Sequence, residues 1–267
     1  MTAAASARWL LTELLKREHR IAGASLVLLC GLAWWWLWRM AAPGVSAVSA
    51  GEMPGMPGMS AGPDVWTMTY LGPAFLMWAI MMVAMMLPSA APMILFHGAI
   101  GRKAGASADR ATLVFALTYL LLWAAFAGLA AIAQAWLVSR DVLGPATLAI
   151  GSRKLAAGLL AATAAYQLSG LKRLCLSWCR SPVGFLMRHW RPGAAGAVRM
   201  GIVHGLYCIG CCGVLMLLLF VGGVMNLAWV AILSLVVVAE KYAPARLHAD
   251  RAIAAVLLAA ALGLLFL

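Results

Sequence analysis

The sequence predicts an all-α protein, a bundle of about seven transmembrane helices whose amino terminus lies in the cytoplasm. Of the 267 residues, 65% are hydrophobic and only 10% are charged. Apolar runs of about twenty residues recur along the chain, and each is long enough to cross the hydrocarbon core of a bilayer. The basic residues fall in alternate connections between these runs, which is typical of polytopic membrane proteins.

The seven predicted spans are 21–38, 67–87, 111–138, 155–171, 200–221, 226–240 and 251–267. With the amino terminus inside, only four of the 20 basic residues fall in outer segments, namely Arg39, Arg140, Arg153 and Lys154. The positive-inside rule therefore predicts an inner amino terminus and an outer carboxyl terminus. This arrangement also accounts for the net charge of +12, so the lipid bilayer is the expected partner and nucleic acid is not.

The domain organisation follows from the same pattern. Residues 1–20 form a basic amphipathic segment that we expect on the inner leaflet, and residues 21–267 form the transmembrane bundle. Two connections are large: an outer loop at 40–65, rich in Met, Pro and Gly, and an inner cysteine-containing loop at 172–199. The first part of the inner loop is expected to continue the helix of the fourth span.

Methionines are concentrated in the outer loop and in the second span. In the loop, Met53, Met56 and Met59 follow one another at three-residue intervals between prolines and glycines. A polyproline-like strand has three residues per turn, so these thioethers would line one edge. Such neutral sulfur ligands suit a soft ion such as Cu(I).

The second span presents a methionine face. Met77, Met81 and Met85 are four residues apart and share one side of a helix, and Met82 and Met86 form an adjacent stripe. The alternative interpretation is packing alone, because methionine is a flexible apolar filler of cores.

Two prolines, Pro88 and Pro92, predict a helix break at the inner end of this span. Met93 and His97 follow at four-residue spacing, and they would close the methionine stripe at its inner mouth. A polar histidine at the membrane interface is the alternative for His97.

The fifth span carries the densest group of metal-binding side chains. At about 100° per residue, His204, Cys208 and Cys211 lie within roughly 60° of one another, and Cys212 lies about 40° beyond Cys208. Soft thiolates and imidazole on one helical stripe predict a metal site. The alternative is a small-residue packing seam with inert buried thiols.

Cys175 and Cys179 are spaced i, i+4 at the inner end of the fourth span. They form either a separate cytoplasm-facing site or one four-cysteine centre with Cys208 and Cys211. A closed centre of four thiolates would favour Zn(II) or a structural role. Basic neighbours would lower the pKa of both thiols; they are Lys172, Arg173 and Arg180.

The sequence predicts that the sulfur-rich parts of the second and fifth spans lie at the same depth in the membrane. If the second span ends near Leu87 and the fifth begins near Met200, a rise of about 1.5 Å per residue places 77–82 and 204–211 in one slab of the bilayer. A Met/Cys/His site would then form where the two helices touch.

The chain resembles the bacterial family of predicted metal-binding integral membrane proteins over roughly residues 66–242. The resemblance rests on the methionine–proline pattern of 77–93 and on four further motifs: Leu171-Lys172-x-x-Cys175-x-x-x-Cys179-Arg180-x-Pro182, Cys208-x-Gly210-Cys211-Cys212, Gly223-x-Met225-Asn226 and Glu240-Lys241. It implies a multi-pass protein of the bacterial inner membrane that binds metal, and it implies no particular reaction. One departure is Gly213, where the pattern favours tryptophan.

We therefore expect a membrane protein that binds and transfers a soft metal, most simply Cu(I), by uptake or by delivery to a copper-enzyme assembly pathway. The outer methionines would collect the ion, the second span would relay it to Cys208, Cys211 and His204, and Cys175 and Cys179 would receive it. A copper chaperone or a copper-enzyme subunit would be the protein partner.

Two other classes remain open. A structural or redox membrane subunit would use the cysteines to hold zinc or an iron–sulfur centre, with the methionines as packing. A membrane enzyme would use Cys208 or His204 covalently, but the chain shows no convincing acid–base partners. The sequence therefore favours a protein without catalytic activity.

Overall fold

The computed structural model describes residues 17–41, 65–103, 108–144, 147–243 and 247–266. Within these ranges the regular secondary structure is helical, apart from an isolated antiparallel β-bridge between Leu143 and Ile150. Most of the predicted amphipathic segment 1–20 lies outside the described residues. So does nearly all of the outer loop 40–65, including Met53, Met56 and Met59.

The helices of the described part follow in this order: α1 (Arg17–Ala41), α2 (Met68–Lys103), α3 (Ala108–Ser139), α4 (Arg153–Gln167), α5 (Gly170–Arg180), α6 (Pro182–His189), α7 (Gly193–Leu217), α8 (Leu219–Gly222), α9 (Leu227–Tyr242) and α10 (Ala249–Phe266).

Five stretches of these helices are long and apolar enough to cross a membrane: Ile21–Ala41, Met68–Arg102, Asp109–Ser139, Gly193–Gly222 and Ala249–Phe266. The predicted fourth and sixth spans fall on α4 and α9, which have 15 and 16 residues. A perpendicular crossing of the hydrocarbon core takes about 20 residues. The described chain therefore contains five candidate spans and two shorter apolar helices.

The helix α2 lies at the centre of the bundle and packs against α1, α3, α6 and α9. The helix α3 packs against both α2 and α7, while α5 packs against α7 and α10 pairs with α4. The outer faces carry exposed large apolar side chains such as Val27, Leu121 and Val256. The sulfur-rich faces of α2 and α7 are buried inside the bundle.

The predicted helix break at the prolines is wrong, because α2 continues through Pro88 and Pro92 to Lys103. A proline in a helix leaves the carbonyl four residues earlier without its usual donor. For Pro88 this carbonyl belongs to Ala84, and it accepts the indole N–H of Trp34 at 3.2 Å. The Cys30 thiol lies 3.6 Å from the same oxygen.

The second proline is compensated in the same way. Pro92 frees the carbonyl of Pro88, which accepts a hydrogen bond from the Tyr242 hydroxyl at 3.2 Å. Side chains from α1 and α9 thus replace the missing helical bonds, as buried backbone groups require. The helix therefore remains continuous across its methionine stripe.

The inner connection also differs from its expected form. The helix α4 ends at Gln167, and the Ser169 side chain caps a new helix by accepting a hydrogen bond from the Lys172 N–H. The segment 172–199 is therefore not a loop that prolongs the fourth span. It contains most of α5, all of α6 and the first turns of α7.

Candidate metal centre

Three cysteines of α7 form a compact buried cluster. The Sγ atoms of Cys208, Cys211 and Cys212 lie within 4.8 Å of one another, and none of these residues is more than 1% exposed. The Cys208–Cys212 sulfur distance is 3.8 Å, and the Cys211–Cys212 distance is 3.7 Å. Their spacing in the sequence places all three on adjoining faces of one helix, as predicted.

A fourth thiol reaches this cluster from α5. The Sγ of Cys179 lies 3.7 Å from that of Cys211. Cys175 instead packs against Gly210, because a Cβ built on that glycine would lie 2.7 Å from the Cys175 sulfur. Of the two α5 cysteines, Cys179 thus meets the α7 thiols and Cys175 supports the helix contact beside them.

A thioether from α2 completes the group of sulfurs. The Sδ of Met86 lies 3.8 Å from the Sγ of Cys212. The sequence predicts that residues 77–82 lie level with 204–211, but α2 runs to Lys103 and α7 begins at Gly193. Both helix ends therefore lie farther out than assumed, and Met86 near the middle of α2 meets Cys212.

The sulfur spacing suits coordination of a single ion. When sulfur–metal bonds are about 2.3 Å long, ligands at tetrahedral positions lie about 3.8 Å apart. The sulfur of Cys211 contacts those of Cys179 and Cys212, and the sulfur of Cys212 also contacts those of Cys208 and Met86. These four sulfur–sulfur distances are all 3.7 or 3.8 Å. An ion can therefore be bound here after small side-chain rotations.

Two polar side chains contact Cys208 from other helices. The Lys241 Nζ lies 3.0 Å from the Cys208 sulfur and donates to the Ser89 hydroxyl at 2.8 Å. The Tyr119 hydroxyl lies 3.1 Å from the same sulfur. A buried ammonium needs a compensating negative charge, and a thiolate at Cys208 is the anion in contact with it.

The preceding residue, Glu240, anchors α9 to α5. Both of its carboxylate oxygens accept hydrogen bonds from the buried Lys172 ammonium, at 2.9 and 2.7 Å. Gln167 donates to the same carboxylate, and Arg180 donates to the Glu240 backbone carbonyl. The Lys172–Glu240 pair is neutral as a unit, so it leaves Lys241 to balance the charge of the cysteine cluster.

The expected lowering of the α5 thiol pKa values is wrong. Burial, and then the nearby Cys211, raise the pKa of Cys175 above its usual value. Contacts with the Cys208 and Cys211 thiols, followed by burial, raise the pKa of Cys179. The basic neighbours have little effect because Lys172 and Arg180 are engaged by Glu240.

His204 lies one turn before Cys208 but faces aromatic rings. Its ring stacks on Tyr119 and Phe115 at centroid distances of 5.5 and 6.0 Å, and Phe185 meets it edge-on. Its Nδ1 is buried, with no hydrogen-bond partner among the described residues. His204 is therefore adjacent to the sulfur centre through Tyr119 and is not part of it in this conformation.

His97 lies farther along α2 and is also buried. Its Nδ1 is 3.0 Å from the Thr112 hydroxyl, and its ring stacks on Phe115 with centroids 4.8 Å apart. The remaining predicted methionine ligands are all buried in the core of the bundle: Met77, Met81, Met82, Met85 and Met93.

Four side chains that surround the sulfurs are not among the predicted ligands: Met86, Ser89, Tyr119 and Lys241. Met86 belongs to the predicted methionine face, and Ser89 and Lys241 belong to motifs of the family resemblance. Tyr119 carries no distinguishing pattern, because one tyrosine in an apolar helix is ordinary. Their convergence on Cys208 and Cys212 depends on how four helices pack.

These observations define a class, an all-helical protein with five candidate membrane spans and a buried cysteine cluster able to hold a metal ion. A sequence profile of the PpoB2 copper chaperone family matches residues 75–264, which is more than half of the chain and contains all the sulfurs of the centre. The protein belongs to this family. No curated protein and no solved structure matches the chain.

Proposed function

We propose that this protein is a membrane-embedded copper chaperone that binds Cu(I) at Cys179, Cys208, Cys211 and Cys212 with Met86 and passes it to a copper-enzyme assembly partner. The observation that carries the proposal is the chain of 3.7–3.8 Å sulfur contacts linking α5, α7 and α2. Soft thiolate and thioether ligands suit Cu(I), as they also suit zinc and iron–sulfur clusters. Membership of the copper chaperone family supports the choice of metal.

The charge of Lys241 fits a Cu(I) centre in which two of the four cysteines are ionised and the other sulfurs bind as neutral ligands. Such a centre carries one negative charge, which the Lys241 ammonium beside Cys208 neutralises. An unpaired buried charge costs several kcal/mol even after relaxation, so the charge balance of the site depends on Lys241.

The ligand types suggest a path for the ion. Three neutral thioethers precede Met86 along α2, and they belong to Met77, Met81 and Met85. The thiolates at the end of this stripe bind Cu(I) more strongly because they are charged. An ion collected near the start of α2 would therefore move towards Cys212, and His204 and His97 lie beyond the centre as candidate ligands on release.

We further propose that the protein lies in the bacterial inner membrane with its amino terminus inside. The five candidate spans, with α4 and α9 inserted as shorter helices, would give the seven expected crossings. Residues 1–20 would then anchor the bundle 21–267 to the inner surface of the membrane. The loop with Met53, Met56 and Met59 would collect the metal on the outer side.

The test is anaerobic titration of the detergent-purified protein with Cu(I) in the presence of a competing chelator. Wild-type protein should bind Cu(I) tightly, and Cys208→Ser and Cys212→Ser should each lose that binding. Cys30→Ser is the matched control, since Cys30 contacts the Ala84 carbonyl and lies outside the cluster. Equal Cu(I) binding by all three variants would refute the proposal.

A structural zinc site is the second candidate, because four thiols at this spacing also suit Zn(II). Elemental analysis of protein purified without added metal separates the two. Stoichiometric zinc that Cu(I) cannot displace, and whose removal unfolds the protein, would establish the structural role.

A further inference from the structure

We propose that a cavity lined by Met40, Met77, Met81 and Met225 is a second Cu(I) site, built only from thioethers and separate from the cysteine centre. The inference rests on the proposed function in one respect, that Cu(I) is the ion carried. It adds Met40 and Met225 to the set of ligands.

Among the described residues that line the cavity, no other side chain carries a donor atom. Its volume of about 20 Å³ accommodates one water-sized atom. Besides the four methionines, the walls are formed by aliphatic residues, namely Leu37, Ala41, Val224, Leu227 and Val230. Thioether sulfur is thus the one kind of side-chain ligand that these described residues offer to a guest.

The methionines come from three separate elements and lie at two levels. Met77 and Met81 of α2 are buried, at 6% and 1% exposure, and form the floor. Met40, from the end of α1, and Met225, from the turn before α9, are half-buried and form the rim. An ion can therefore approach at the rim and reach buried ligands below.

The turn that carries Met225 is held in a defined shape. Gly223 adopts φ +91°, and a Cβ there would lie 2.8 Å from the Thr147 carbonyl oxygen. That same oxygen accepts the Met225 N–H at 3.4 Å. The Asn226 side chain then caps α9 by accepting the Trp229 N–H at 3.2 Å. The Gly223-x-Met225-Asn226 motif thus places one thioether at the rim.

The cavity opens to the outside of the bundle between the half-buried Met40 and Met225. Methionine adapts its shape to fill irregular gaps, and four of these adaptable side chains line the opening. An opening lined by thioethers gives a guest ion both access and soft ligands.

The cavity lies close to the cysteine centre along α2. Met81 on its floor is five residues before Met86, a rise of about 7.5 Å along the helix, and Met86 contacts Cys212. Neutral thioethers hold Cu(I) less strongly than thiolates do. The cavity therefore serves as a loading position from which the ion moves to the thiolates.

The ligand chemistry defines the guest as a soft monovalent cation. Cu(I) and Ag(I) accept neutral sulfur ligands, whereas Zn(II) prefers thiolate, imidazole or carboxylate. Ag(I) is the practical probe because it undergoes no redox change during a titration.

The first experiment titrates Ag(I) into a variant in which all six cysteines are replaced by serine, so that no thiol remains to compete for the ion. One Ag(I) should still bind, and adding Met77→Leu with Met225→Leu should weaken this binding at least tenfold. Met200→Leu with Met216→Leu is the matched control, since both methionines are buried in α7 away from the cavity. Circular dichroism establishes that each variant is folded.

The second measurement uses wild-type protein and so does not depend on the cysteine variants. Peroxide oxidation of Met40 and Met225, followed by mass spectrometry, should slow in the presence of Ag(I), while oxidation of the exposed Met187 should not. Unchanged oxidation at both rim residues would overturn the thioether site. If wild-type protein binds Cu(I) and Ag(I) only through its cysteines, the site fails and the proposed function stands; if it binds neither ion, both fail.

Discussion

The ammonium group of Lys241 lies 3.0 Å from the sulfur of Cys208, and both side chains are buried among helices α2, α3, α7 and α9. This contact joins the carboxyl-terminal turn of α9 to the cysteine cluster. The adjacent Glu240 joins the same turn to α5, which contributes Cys179. Two consecutive residues thus connect all the helices that supply thiols.

Replacing Lys241 by methionine should weaken Cu(I) binding. The substitution keeps the apolar volume and removes the charge that balances a Cu(I) dithiolate, so we expect at least a tenfold loss, which corresponds to about 1.4 kcal/mol. Lys241→Arg keeps the charge and should retain most of the affinity. Competition with a Cu(I) chelator measures both, and undiminished affinity in Lys241→Met would exclude the charge-balancing role.

Replacing Glu240 by glutamine should destabilise the fold. The change leaves the buried Lys172 ammonium without its carboxylate, and breaking one side of a buried ion pair costs about 3–5 kcal/mol. The double variant Lys172→Met, Glu240→Leu removes both charges and should recover most of the stability. Thermal unfolding in detergent, followed by circular dichroism, measures this recovery. A double variant no more stable than Glu240→Gln would show that the charges are not the cause.

The sequence predicted the all-helical class and the cysteine stripe of α7, because both depend on spacing within one helix. The contacts between helices were harder to predict. Pro88 and Pro92 indicate a break when only local rules are applied, yet Trp34 and Tyr242 supply the missing hydrogen bonds from distant helices. Because α2 continues past both prolines to Lys103, Met86 lies near the middle of the helix. This position explains why Met86, and not residues 77–82, contacts Cys212.

Replacing Trp34 by phenylalanine tests this compensation. It removes the indole N–H that pairs with the Ala84 carbonyl and leaves the weak Cys30 thiol donor in its place. A buried acceptor that loses its partner entirely costs about 1–3 kcal/mol, so we expect a loss of at most this size. We expect lower thermal stability and weaker Cu(I) binding, because α2 would bend beside Met86. Trp35→Phe is the control, since Trp35 is exposed on the same helix. Equal stability of the two variants would mean that the Ala84 carbonyl finds another donor.

Replacing Gly210 by alanine should separate α5 from α7. The new methyl group would lie 2.7 Å from the Cys175 sulfur, which is too close for packed atoms, so the Cys175 side chain must rotate or α5 must move outward. Movement of α5 carries Cys179 away from Cys211. We expect Cu(I) affinity to fall by about tenfold, because one sulfur ligand is lost. A tenfold change in affinity corresponds to about 1.4 kcal/mol of binding free energy.

The double variant Gly210→Ala, Cys175→Ala distinguishes a steric cause from a local helix effect. It removes the obstructing sulfur, so α5 can return and Cu(I) affinity should recover. Gly158→Ala is the matched control, because a Cβ at that helical glycine meets no atom within 4 Å, and alanine is favoured over glycine inside helices by about 1 kcal/mol. Chelator competition measures all three variants. Recovery in the double variant requires that Cys175 acts through packing, whereas a persistent loss would make Cys175 itself a metal ligand.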